Sequence, residues 1–124
     1  MAIIKSDSYG HLLNNVVQDI DDIVDGYGVV RLDEALSIRK ISSKKILLMQ
    51  GVYTDKDLKE AQQHSLDLVI HNKHQFNLIK SNKYYKNLWF KINTGMNRLG
   101  FEVDEFLDIY NTHLSDKEFT LMSH

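Results

Sequence analysis

The sequence predicts an α/β fold on a parallel sheet, and three observations predict it. Six short apolar runs recur along the 124 residues, five helical patterns separate them, and strand and helix alternate strictly. Parallel strands need crossover connections and helix-covered faces, so this order suits a barrel or a doubly wound sheet. No Gly-x-Gly-x-x-Gly follows any of the runs, which removes the main argument for a dinucleotide fold.

Ala2-Ile3-Ile4 is the first run, and Lys5 follows it directly before the turn-forming stretch Ser6-Asp7-Ser8-Tyr9-Gly10-His11. Leu12, Leu13, Val16, Val17, Ile20, Ile23 and Val24 then recur at helical spacing, predicting about three turns that Asp25-Gly26 ends. Tyr27 to Val30 reads as a strand, and 31–39 as a helix with Asp33 and Glu34 early and Arg39 late, the order the helix dipole favours. Lys45 to Gly51 is a third strand, stopped by glycine; Thr54 caps a helix over 55–64. Leu66 to His71 is a fourth strand, and Asn72 caps a helix carrying Phe76, Leu78 and Ile79. Leu88 to Ile92, a helix over 104–113 and a last run from Phe119 to Met122 complete the order.

Composition narrows the function. A formal charge of -2, with lysine and arginine scattered, argues against a sequence-independent nucleic-acid binder, which needs a basic face. There is no cysteine, so disulfides and thiolate metal sites are excluded. No run approaches the roughly 18 apolar residues of a membrane span and no signal peptide is read, so a cytoplasmic protein is expected. His11, His64, His71, His74 and His113 match no metal-ligand spacing, so no metal is expected and they read as solvated or capping residues.

A lysine closing a barrel strand stands where such folds place their chemistry, and a free amine there condenses with aldehydes. The same residues also describe a lysine snorkelling from a strand end. Arg98 has a parallel ambiguity, between an anion-binding fork and a surface ion pair with Glu102 or Asp104.

The segment Ile3-Ile4-Lys5-Ser6-Asp7-Ser8-Tyr9-Gly10-His11, read with Asn93-Thr94-Gly95-Met96-Asn97-Arg98-Leu99-Gly100-Phe101, resembles the paired signature of the pyridoxal-phosphate-dependent alanine racemases. Ser8 stands for the commoner alanine, Leu12 for a glycine and Asn93 for an aspartate. The resemblance implies a (β/α)8 TIM-type barrel, of which 1–124 holds strands one to six with five helices and lacks the C-terminal β-domain. It implies pyridoxal 5'-phosphate held through Lys5, its phosphate touched by Tyr9 and its ring side by Arg98 and His124. It further implies Lys5 as the catalytic base, Arg98 as a contact to the substrate carboxylate, and Lys91 as the position that some members carbamylate. Its expected activity is interconversion of L- and D-alanine for peptidoglycan, with alanine as substrate and a homodimer as the intact assembly. These residues alone are expected to bind the cofactor weakly, to be inactive and to self-associate. A non-catalytic pyridoxal-phosphate-binding barrel, or a decayed fragment without function, are the other readings.

Overall fold

The six apolar runs pair side by side in chain order, β1 (Ala2–Ile3), β2 (Gly26–Val29), β3 (Lys45–Leu48), β4 (Asp67–Ile70), β5 (Leu88–Lys91) and β6 (Thr120–Met122). Every pairing is parallel. The structure, a computed structural model, describes residues 1–84 and 86–124. It is the part-closed α/β barrel that the sequence predicts, and among the described residues no helix is long and apolar enough to cross a membrane.

Side chains on a strand alternate between its two faces, so each strand is divided between two environments. Ile46, Leu48, Leu68, Ile70, Leu88 and Phe90 belong to the core that the helices cover, with Ala35, Ile38, Leu58, Ala61, Phe76 and Ile79 packed from above. The residues between them face the barrel interior. Asp67 at the amino end of β4 is buried there, accepts the Trp89 indole N–H at 2.9 Å and stands 3.7 Å from Lys45 Nζ. Lys91 and, beyond the end of β4, His71 continue the same interior-facing series at the carboxyl end.

The helices are α2 (Leu13–Ile20), α3 (Leu32–Arg39), α4 (Asp55–Gln63), α5 (Lys73–Ser81) and α6 (Val103–Ile109), the last running into a π-helical turn over Tyr110–Leu114. Thr54 and Asn72 cap as expected, accepting the N–H of Asp57 at 3.1 Å and of Gln75 at 3.0 Å. The first long helix is shorter than its apolar spacing predicts, and Ile23 is 81 % exposed. Asp21 explains the stop. Its Oδ1 accepts the Tyr27 hydroxyl at 2.8 Å and the Ser42 hydroxyl at 2.6 Å, which pins the helix end to β2 and turns the chain inward.

A sixth helical element is absent from the sequence reading. Between β1 and α2, the stretch α1 (Lys5–Gly10) winds left-handed, with Ser6, Asp7, Ser8 and Tyr9 at φ 55°, 51°, 54° and 56°. L-residues rarely do this in succession. Asp7 secures the turn from both ends: its N–H donates to Glu34 Oε1 at 3.2 Å, and its Oδ1 accepts the Leu13 N–H at 2.7 Å.

Candidate active site

The left-handed turn decides where the first motif points. Ile4 is buried at the end of β1, and its carbonyl accepts the Ser8 N–H at 3.1 Å. The Ser8 carbonyl in turn accepts the His11 N–H at 3.2 Å and the His11 Nδ1–H at 3.0 Å. Four residues of tight winding bring Tyr9 back under Lys5, whose Nζ lies 6.0 Å from the ring centroid. That is the outer limit of cation–π contact, so the ring guides the amine without binding it strongly. Tyr9 is 60 % exposed, so its ring is open to solvent beside Lys5. Ser8 is buried, and its Oγ has no hydrogen-bond partner among the described residues.

The second motif forms a tight loop on the carboxyl end of β5, organised by Asn93. Its Oδ1 accepts the N–H groups of Gly95 at 3.1 Å and Asn97 at 3.0 Å. Its Nδ2 donates to Asn97 Oδ1 at 2.8 Å and to Glu102 Oε1 at 2.7 Å. An aspartate could not make these last two contacts, so the departure from the family's residue has a local use. Gly100 at φ 129° closes the loop against the backbone of Ile92 and Asn93. The pairing of Arg98 with Glu102 is not formed, because Asn93 holds that carboxylate. Arg98 is exposed and makes no ion pair among the described residues.

Lys91 lies beneath that loop, 8 % exposed. Burial first, and the Arg98 charge second, hold its pKa below the usual lysine value, which favours the uncharged amine. His124, two residues past β6, is exposed and makes no hydrogen bond among the described residues. Lys5, Tyr9, Lys91 and Arg98 thus all stand at the carboxyl ends of β1 and β5. Their donor set suits an anionic, aldehyde-bearing aromatic: an amine for the aldehyde, a phenol for a phosphate oxygen and an unpaired guanidinium for the ring oxygen.

One reading of the histidines is corrected. His71 is not solvated; it is 5 % exposed, and burial lowers its pKa. Its Nε2 stands 3.2 Å from the Tyr53 hydroxyl and its Nδ1 3.3 Å from Asn72 Nδ2. Beneath it Gln75, fully buried, accepts the His71 N–H at 3.0 Å and donates to the Gln50 carbonyl at 2.6 Å, tying β3 to β4. The sequence did contain the signal, since His71 continues the interior-facing alternation from Asp67 and Val69.

A part-closed α/β barrel carries an amine, a phenol and a guanidinium without an ion pair among the described residues at the face where such barrels place their chemistry. The comparisons give the particular family. The family model for the alanine racemase N-terminal domain matches residues 1–124, and the chain belongs to the alanine racemase family. It is 38 % identical over 118 residues to the alanine racemase of Shewanella amazonensis, spanning 89 % of this chain and 32 % of that protein. The biosynthetic alanine racemase of Pseudomonas aeruginosa superposes with a TM-score of 0.91 at 32 % identity, over 100 % of this chain and 36 % of that one. The fold is shared with the alanine racemase of Bartonella henselae, solved with covalently bound pyridoxal phosphate, at a TM-score of 0.83 and 17 % identity over 99 % of this chain and 38 % of that one. The chain spans about a third of the length of the curated relatives it matches.

Proposed function

We propose that this chain forms the lysine-bearing barrel portion of a pyridoxal-phosphate-dependent alanine racemase, which interconverts L- and D-alanine and supplies D-alanine for peptidoglycan. The observation that carries this reading is the placement of the Lys5 amine, the Tyr9 hydroxyl and the unpaired Arg98 guanidinium on one face of the barrel. Pyridoxal phosphate, when bound, supplies an electron sink for the substrate carbon. Lys5 is the residue that would hold the cofactor, and its Nζ would take the α-proton from D-alanine. Tyr9 Oη donates to a phosphate oxygen. Arg98 grips the substrate carboxylate and the cofactor's phenolic oxygen with a fork that a lysine cannot reproduce. Lys91, buried beneath it with its pKa lowered first by burial and then by the Arg98 charge, is the amine suited to carbamylation, and its carbamate would pair with Arg98. His124 would stand on the ring side of the cofactor. The base on the opposite face comes from a second domain of a homodimeric partner, so residues 1–124 alone bind the cofactor weakly and do not turn over.

Incubation of the chain with pyridoxal phosphate, followed by borohydride reduction, tests this. The cofactor mass is expected on the peptide containing Lys5 in preference to those containing Lys56 or Lys83. Label spread evenly over the lysines would refute a formed site, and brisk racemisation by the isolated chain would refute the need for a second domain.

A further inference from the structure

At the carboxyl end of β4 the donors and acceptors around His71 point to one arrangement, with the Gln50 and His71 carbonyls also acting on the ring. Asn72 Oδ1 receives the backbone N–H of Gln75, a group that can only donate, so the orientation of the Asn72 amide is fixed. Its Nδ2 therefore faces His71 Nδ1 and donates to it. A nitrogen that accepts carries no proton, so a neutral His71 has its proton on Nε2 and donates it to Tyr53 Oη. Tyr53 is left with its own hydroxyl proton uncommitted to any group among the described residues.

Two further contacts hold the phenol still. Its ring stacks on His74 with the planes 20° apart, and His74 Nε2 donates to the Tyr53 carbonyl at 3.0 Å. The position of the hydroxyl follows from the strand register. Ile70 pairs with Phe90, so the next residues, His71 and Lys91, stand side by side across β4 and β5, about 4.8 Å apart in backbone and turned to the same face. The Tyr53 hydroxyl reaches the imidazole at that level, the Lys91 charge acts on the same imidazole, and Tyr53 is 47 % exposed as a residue.

We propose that Tyr53 is a hydrogen-bond donor for a carboxylate-type oxygen at the barrel mouth beside Lys91, and that His71 is the residue that positions it. A spare O–H on an imidazole that stands across the strand pair from a buried amine suits an anionic acceptor. Two sources share that chemistry: a carbamate formed on Lys91, and the carboxylate of a small acid entering the mouth. For the carbamate, the lone pair of the neutral Lys91 Nζ forms the N–C bond to carbon dioxide, one C=O π pair moves onto oxygen, and the Nζ proton leaves to water. That source rests on the reading of Lys91 given above; the orientation of His71 and Tyr53 does not.

The test uses the full 124-residue chain. Long-range ¹H–¹⁵N spectra should show His71 protonated on Nε2 alone at pH 8. Carbamate is then read by ¹³C NMR after equilibration with [¹³C]bicarbonate, and acetate binding by titration without bicarbonate. Tyr53→Phe, which keeps the ring and its stack on His74, is expected to weaken at least one of these about tenfold, the effect of losing one hydrogen bond to a charged acceptor. His71→Leu should weaken it similarly, and His71→Gln, whose amide can still donate to Tyr53, should restore most of it. A loss confined to bicarbonate assigns the carbamate, and one confined to acetate assigns the ligand carboxylate and removes Lys91 from the account. An Nδ1–H tautomer, equal binding by the wild type and Tyr53→Phe, or no binding of either probe would overturn the proposal.

Discussion

Replacing Gly100 with alanine should unseat the Arg98 loop, and the structure sets the size of the effect. A Cβ built on Gly100 falls 2.6 Å from Asn93 N, 2.8 Å from the Ile92 carbonyl carbon and 3.1 Å from Lys91 O. All three are backbone atoms of a paired strand, so no side chain can swing aside. Relief must separate Gly100 from β5, which strains the Asn93 N–H bond to the Phe101 carbonyl and the Phe101 N–H bond to the Lys91 carbonyl, both 2.8 Å. Two such bonds contribute about 1 kcal/mol each. Holding an L side chain at φ 129° adds about 1–3 kcal/mol. The sum, about 3–5 kcal/mol, is a large part of the roughly 5–15 kcal/mol that stabilises an ordinary domain. Thermal unfolding followed by circular dichroism should show the midpoint falling by roughly 10–20 °C. A drop worth less than about 1 kcal/mol would refute the reasoning, because it would mean that the loop yields without breaking the strand.

Ser8→Ala removes a buried hydroxyl that has no partner among the described residues, so it should raise stability by about 1 kcal/mol in urea unfolding; a loss of that size would mean that the hydroxyl is bonded. Asp21 predicts acid sensitivity. The Ser42 and Tyr27 hydroxyls hold its carboxyl below the ordinary value of 3.8, so the folded chain gives up stability only as the pH falls below that value, where the unfolded chain binds protons first. Ser42→Ala should flatten the midpoint-against-pH curve below about pH 4, and an unchanged slope would remove Asp21 from the account. His71 works in a higher window: its lowered pKa means that the unfolded chain takes up a proton as the pH drops through 6.5 while the folded chain resists, so stability should rise with pH there, and His71→Gln should remove that rise.

The parts of the fold legible in the sequence are those governed by local periodicity. Apolar runs bounded by Gly51 and the Asp25-Gly26 pair mark strands, and Thr54 and Asn72 cap helices because a short polar side chain before an apolar repeat does so almost anywhere. The end of α2 was not legible, since the spacing of Ile23 continues the helix while the groups that stop it, Tyr27 and Ser42, come from later elements. The site divides the same way. Lys5 and Arg98 are candidates through the resemblance of two motifs, because spacing leaves each open to an ordinary surface role. His71 is buried because it continues the alternation of β4, a signal that metal-ligand spacing does not carry. Tyr53 could not be found at all without the contact that joins it to His71.

The handedness of α1 carries a consequence for chemistry outside the cell. A left-handed turn costs an L-residue roughly 1–2 kcal/mol, so the four residues from Ser6 to Tyr9 together carry about 4–8 kcal/mol that the rest of the fold must offset. For the mirror-image enantiomers the same dihedral angles are the relaxed ones. A chain assembled by chemical ligation with D-serine at position 6 should therefore melt higher than its all-L counterpart, whereas the same inversion within α4 should melt it. Beside the amine expected to invert alanine, the backbone itself adopts the conformation that D-residues prefer.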